Sequence, residues 1–271
     1  VSKIEMLQAA VGRIKSRMGR FFPGERVVFR GANLHRDLKG IDWVELYLFG
    51  ITGRRFTPQQ IRLLHMLWVH TSYPDARIWN NRVVALAGTA RSSSTLALSA
   101  GLAVSEARIY GRGAGFETIS FLIETRRRMD AGESLADCVQ SQLAGYGRIA
   151  GYGRPIINGD ERIAPTMALA GELGLDKGRH LALIFELQTY LADSGYGIKM
   201  NYGAISGALG ADLGLSPREH LAFMFPAFLA GMPPCYIESS ENPEGALFPI
   251  PCDGIRYAGR DTRPWPVGQT S

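Results

Sequence analysis

Of the 30 basic side chains in this sequence, 25 are arginine, and that bias sets the chemistry to look for. A guanidinium donates two parallel hydrogen bonds to a carboxylate or phosphate, yet it stays protonated and cannot act as a general base. Small anionic ligands are therefore the economical expectation. The arginines are scattered apart from Arg126-Arg127-Arg128, and the net charge is only +5. A nucleic-acid surface carries a denser basic stripe with interleaved aromatics, so no nucleic-acid partner is expected. Arg112 lies in the string Gly111-Arg112-Gly113-Ala114-Gly115, where its charge either meets a phosphate or carboxylate or faces solvent. The string lacks the preceding strand and the sixth-position glycine of a dinucleotide loop, and there is no Walker motif. Cys138, Cys235 and Cys252 are widely spaced and odd in number, which fits buried thiols better than a metal site or a disulfide framework. His35, His65, His180 and His220 have no metal-ligand spacing and read as ordinary residues; no metal is expected.

The elements that must position these groups are helices. At 271 residues with 46% hydrophobic and 20% charged side chains, the chain can bury a core in one large domain or two modest ones. Thr57-Pro58 reads as an N-cap with proline at the first helical position, followed by Ile61, Leu64, Leu67 and Trp68 on one face, which predicts a helix over 58–70. His70 then ends this helix, as a base or as a cap of its C-terminus. Further helices are predicted over 82–89, 94–104, 117–129, 134–143, 164–174 and 179–192. Ser216-Pro217-Arg218-Glu219 is a capping box opening a helix through Leu229, kinked at Pro226. Strand patterns are confined to 25–29 and 255–257, so the fold class is all-α or nearly so. The glycines at 111–115, 145–153 and 203–214 read as helix connections. The string Ala-Gly-Tyr-Gly-Arg occurs at 144–148 and again at 150–154, too briefly for a structural repeat. The longest continuous apolar run, Leu221 to Met232, is 12 residues against the roughly 20 of a membrane span, so no span is expected. The N-terminus has no secretion-type apolar stretch, and a cytoplasmic protein is expected.

The order of these elements and several strings within them resemble the citrate synthase superfamily, in particular its short members of the citryl-CoA lyase type. Asp42-Trp43-Val44-Glu45-Leu46 with Leu48 to Arg54 resembles the family's helix ending in an L-x-T-G turn. Arg82-Val83-Val84-Ala85 is similar to its A-R-V-V-A helix, and Ser99-Ala100-Gly101-Leu102 to its A-A-G-L segment. Gly151-Tyr152-Gly153 resembles the G-F-G-H-R loop, Asn201 through Ser206-Gly207 the N-V-D-F-Y-S-G stretch, and Arg263-Pro264-Trp265 the terminal R-P-W. The resemblance implies a two-lobed helical fold, with a large lobe at 1–112 and 199–271 and a small lobe inserted at 113–198. It also implies a homodimer or a dimer of dimers, with a coenzyme A thioester as substrate in the cleft between lobes.

Set against the family's motifs, the usual acid–base groups are replaced. Ser72 stands where the first histidine is expected, with His70 two residues away. Tyr110 replaces the histidine of L-H-G-G-A, Arg154 that of G-F-G-H-R, and Gly203 the aspartate of N-V-D-F. Arg162 in Asp160-Glu161-Arg162 falls at the family's carboxylate-binding arginine, while Phe228 occupies its second arginine position. By this resemblance Tyr110, Arg154, Ser72 and His70 are the catalytic candidates. Arg162, Arg112, Asn201 and Tyr202 are the substrate-binding ones, and Gly151, Tyr152 and Gly153 the turn around the CoA adenine. The expected function is carbon–carbon bond making or breaking next to a thioester through an enolate, as a lyase, decarboxylase or acyltransferase, and not ordinary citrate synthesis. Two alternatives stand beside it: a non-catalytic CoA-binding or scaffold subunit, and an enzyme of this fold that no longer uses CoA.

Overall fold

The computed structural model describes residues 2–12, 14–107, 109–154, 159–247, 252–261 and 263. After a short helix α1 (Lys3–Ala10), three strands form an antiparallel meander: β1 (Gly19–Phe22), β2 (Arg26–Phe29) and β3 (Ala32–Asn33), with Gly19 opposite Phe29 and Val28 opposite Asn33. The 25–29 prediction falls on β2. Residues 255–257 form no strand, because no neighbouring backbone among the described residues pairs with them. The meander is fastened to α2 (Trp43–Thr52) by Arg30, whose Nη2 donates to the Gly50 and Ile51 carbonyls at 2.8 and 2.9 Å, covering the helix C-terminus.

The rest is helical: α3 (Pro58–Thr71), α4 (Trp79–Thr89), α5 (Ser94–Val104), α6 (Arg112–Asp130), α7 (Leu135–Tyr146), α8 (Ile163–Glu172), α9 (Arg179–Asp193), α10 (Tyr202–Asp212), α11 (Pro217–Phe223) and α12 (Met232–Glu241). Thr57 and Gln60 close a capping box on α3, and Ser216 and Glu219 one on α11, each with proline in the first turn as the sequence indicates.

Three differences from the sequence reading have packing causes. Helix α6 starts at Arg112, five residues early, taking Gly113 and Gly115 into its first turn. Helix α10 occupies a glycine-rich stretch read as a connection. There a Cβ on Gly207 would lie 3.3 Å from Thr118, and one on Gly210 would lie 2.7 Å from the His220 ring; the glycines let α10 approach its neighbours closely, and that packing outweighs their poor helix propensity. Finally, the predicted helix through Leu229 stops at Phe223. Pro226 sits in a 3-10 stretch (Phe225–Gly231), and α12 follows with Pro233 and Pro234 in its first turn, where a missing N–H costs nothing. By length and composition alone, 217–241 meets the requirement for a membrane span, which the run of 12 residues did not suggest; the structure breaks it into these three pieces.

The main core is continuous from Val44 on α2 to Ala227 and takes in α3, α6, α9, α10 and α11, with Leu48, Leu64, Leu122, Leu187 and Phe223 fully buried. A smaller cluster of Val84, Ala97 and Met232 joins α4, α5 and α12. Cys138 and Cys235 are buried free thiols, as expected; the Cys252 side chain lies outside the described residues, as do Pro264 and Trp265.

Candidate functional site

A cavity of about 890 Å³ opens where three stretches of chain meet: 71–112, 114–162 and 201–228. The loop carrying Gly151-Tyr152-Gly153 forms one wall. Gly151 and Gly153 both adopt φ +84°, and a Cβ on Gly151 would lie 2.9 Å from Thr118 and 3.0 Å from Ala204. Close backbone approach is thus required here, but against α6 and α10. The loop is braced by Gly153 N–H donating to the Lys199 carbonyl at 2.8 Å, Asn201 N–H to Gly151 at 2.9 Å, and the Asn201 amide to the Gly153 carbonyl at 2.7 Å. The Asn201 side chain also caps α10 by accepting from Gly203 N–H. Tyr152 is buried, donates to the Ile184 carbonyl at 2.5 Å, and has its phenol pushed up by burial.

Arg162 is held by Asp160, whose carboxylate is fully buried and accepts from Nε and Nη2 at 2.7 Å each and from Tyr202 N–H at 2.9 Å. Burial pushes the Asp160 carboxyl up, but the Arg162 hydrogen bonds and charge outweigh it and keep the group below its ordinary value. The guanidinium lies 4.4 Å over the Tyr202 ring and 5.5 Å over Tyr73. Arg154 reaches Glu161 at 2.5 Å, and Tyr73 donates its hydroxyl to the same carboxylate at 2.6 Å. Those two donors hold Glu161 down at about 2, while burial, with the Glu161 contact, pushes Tyr73 up to about 12.

This pairing extends to the other arginines of the cavity. Five arginines line the cavity among the described residues, and each has a carboxylate: Arg77 with Asp75, Arg112 with Glu106, Arg148 with Glu117, Arg154 with Glu161 and Arg162 with Asp160. An arriving anion meets formally neutral pairs, of which those with Glu161 and Glu106 have half-exposed acids able to swing away.

The structure brings Tyr110, Arg112, Arg154, Arg162, Asn201, Tyr202 and the 151–153 loop to one cavity. Tyr110 stacks on Trp79 with centroids 6.1 Å apart and is 42% exposed. It does not bring Ser72 and His70 there. The Ser72 hydroxyl donates to the Trp68 and Ala227 carbonyls at 2.8 and 2.9 Å, so it is consumed at the C-terminus of α3. His70 Nδ1 pairs with Thr166 Oγ1 at 2.7 Å, and Thr166 lies 3.2 Å from the Tyr202 hydroxyl; His70 thus reaches the cavity wall only through two other side chains. Burial and then the Arg162 charge lower its pKa.

His220, an ordinary residue by its sequence spacing, also lines the cavity. It is 1% exposed, with Nε2 buried and without a partner among the described residues, and its ring lies between Gly115 and Gly210. Burial pushes it down to about 4 despite a hydrogen bond to the Ser206 backbone, so the imidazole is neutral. The signal available was its place three residues before Phe223 on a capped helix, which puts both on the inward face.

No protein-family model matches the chain, and no curated protein sequence matches it. Solved structures do. A citryl-CoA lyase from Hydrogenobacter thermophilus superposes with a TM-score of 0.78 at 17% identity, covering 93% of this chain and 97% of that one. The chain has the citrate synthase fold. A citrate synthase from Thermoplasma acidophilum, in ternary complex with carboxymethyl coenzyme A and oxaloacetate, gives 0.64 at 16% identity over 84% of this chain and 59% of its own. An ATP citrate lyase from Methanosaeta concilii, in complex with (3S)-citryl-CoA, gives 0.71 at 15% identity over 96% and 44%. The chain therefore spans nearly all of the lyase but less than two thirds of the longer proteins. Within the citrate synthase fold, the mostly helical architecture expected from the sequence is what is observed.

Proposed function

We propose that the chain binds an acyl-CoA thioester and a carboxylate-bearing group in this cavity and breaks or makes a carbon–carbon bond next to the thioester. The observation that carries the reading is the cavity itself. It joins the two proposed lobes, 1–112 with 199–271 and 113–198, and it gathers Tyr110, Arg154 and Arg162 in a fold also adopted by a citryl-CoA lyase. In the cleavage direction the bond from the thioester's α-carbon to a hydroxyl-bearing carbon breaks, and its electron pair becomes the enolate of the thioester. The hydroxyl carbon departs as a carbonyl and gives up its O–H proton. A proton delivered to the α-carbon completes the acyl thioester, so one proton is lost and one gained. The Tyr110 hydroxyl supplies a hydrogen bond to the developing oxyanion, while Arg154 and Arg162 hold the acid group once Glu161 swings aside. Closure of the lobes excludes water from the enolate. The working unit is a homodimer or a dimer of dimers, and sedimentation with a mass twice or four times the 29.7 kDa of the chain checks it.

Titration calorimetry with free CoA and a small acyl-CoA panel tests the reading: saturable binding is expected, and no binding to any of them defeats it. The carboxylate already seated on every cavity arginine favours one rival, a non-catalytic CoA-binding or scaffold subunit. Turnover by the isolated protein that disappears in Arg154→Ala excludes that rival; co-purification with a second, catalytically complete chain supports it.

A further inference from the structure

Two side chains of the cavity wall already hold a carboxylate, and it is the chain's own. One Glu161 oxygen accepts from Arg154 Nη1 at 2.5 Å; the other accepts from Arg154 Nη2 at 3.1 Å and from the Tyr73 hydroxyl at 2.6 Å. Three donors thus converge on one planar group, whose two oxygens match the fork of the guanidinium. Arg154 and Tyr73 line the cavity, whereas Glu161 is not part of its wall.

The donors are fixed and the acid is loose. The Tyr73 carbonyl accepts from the side-chain amide of Asn81, itself 2% exposed, and a Cβ on Gly231 would clash with the same oxygen, so the backbone at Tyr73 is held on two sides. The phenol is pushed up to about 12, which keeps it a donor at neutral pH. Arg154 is 20% exposed and also donates to the Gly159 carbonyl at 3.2 Å. Glu161 is 58% exposed, and an ion pair with so exposed a partner is readily exchanged. Arg162 offers no equal fork, because its Nε and Nη2 are both taken by the fully buried carboxylate of Asp160. Its guanidinium instead lies 5.5 Å over the Tyr73 ring, adding positive charge behind the seat.

We propose that Tyr73 is a substrate-binding residue: its hydroxyl and the Arg154 guanidinium form a seat for one planar carboxylate of the substrate, which Glu161 fills and yields by side-chain rotation to the incoming group. The seat deepens the acyl-CoA reading and rests on it for the reaction. It takes the carboxylate-bearing end of the ligand and not the phosphates of a nucleotide, since the donors are arranged for two coplanar oxygens. Glu161 is then a built-in competitor that lowers the apparent affinity for every acid entering the cavity.

The test is isothermal titration calorimetry on the full chain with malonate, and with inorganic phosphate for comparison. Malonate is expected to bind saturably and more tightly than phosphate. Tyr73→Phe, which removes only the hydroxyl, is expected to weaken malonate about tenfold, and Glu161→Gln, which removes the competing charge, to tighten it. The Tyr73→Phe loss is expected to persist in the Glu161→Gln background, because the hydroxyl acts on the ligand and not through Glu161. A merely structural bridge predicts a different pattern, in which both variants lower the urea midpoint and leave malonate affinity unchanged. That pattern overturns the proposal, as does phosphate binding as tight as malonate. Saturable CoA binding with no malonate binding sinks the seat and spares the acyl-CoA reading; malonate binding with these variant effects but no CoA binding does the reverse.

Discussion

Burial changes what a single side chain can do, and His220 is the measurable case. An unfolded chain takes up a proton on this imidazole near pH 6.5, whereas the folded protein does so only near pH 4. Its folded pKa is depressed, so the unfolded state binds more protons between those values. Stability is then complete above about pH 6.5 and falls as the pH drops toward 4, by about 3 kcal/mol in all. Urea denaturation at pH 7.5 and pH 5 is expected to show the lower midpoint at pH 5, and His220→Gln to flatten that dependence; equal wild-type midpoints refute the account. The buried pair behaves differently. Asp160→Ala leaves the Arg162 guanidinium, mostly buried, without its carboxylate, and a loss of about 3 kcal/mol in denaturant stability is expected; a loss below 1 kcal/mol shows that Arg162 finds another acceptor. The sequence reads Arg162 as a substrate-carboxylate arginine, whereas the structure pairs it with Asp160 two residues away. The Arg148 pairing is not legible in the sequence, because Glu117 comes from a distant helix, and His220 reads as an ordinary residue because the glycines beside its ring lie on α6 and α10.

Helices were legible where an amphipathic stripe and a cap coincide. The 94–104 helix has the bounds read from the sequence, and 58–70 and 179–192 are each one residue short. They were illegible where glycine served packing in place of a turn, as in α10. The repeated string Ala-Gly-Tyr-Gly-Arg separates the two uses. Its first copy ends α7, with Gly147 at φ +67° as a left-handed C-cap and open space where a Cβ would go; its second puts Gly151 at φ +84° against Thr118 and Ala204. Gly147→Ala pays for backbone conformation alone, about 1 kcal/mol. Gly151→Ala adds a steric clash with two helices and is expected to cost about 2–4 kcal/mol. Chemical denaturation of the two variants checks the difference, and equal losses would mean that the 151–153 loop is not tightly packed between α6 and α10.

At the scale of the molecule, the cavity is walled by segments far apart in the chain, while the main core runs unbroken from α2 to the 3-10 stretch at Pro226. A ligand in the cavity therefore touches elements that unfold together, and its binding energy adds to the stability of that whole body. For a ligand that binds only the folded state, the gain is about 2.7 kcal/mol at a hundredfold excess over Kd. For a chain of this size that is a rise in Tm of roughly 5–10 °C. Acetyl-CoA is expected to shift one cooperative calorimetric transition by that amount. If part of the transition stays behind, the cavity walls do not unfold with the core and the continuity of the core fails as an explanation. A ligand-independent Tm at saturating acetyl-CoA removes the thioester from the cavity altogether. Free CoA compared with acetyl-CoA then weighs the acyl end of the ligand against the nucleotide end. Tyr110, Arg154 and Arg162, which line the cavity together, predict a larger shift for the acylated form, because only that form offers a thioester carbonyl to the Tyr110 hydroxyl.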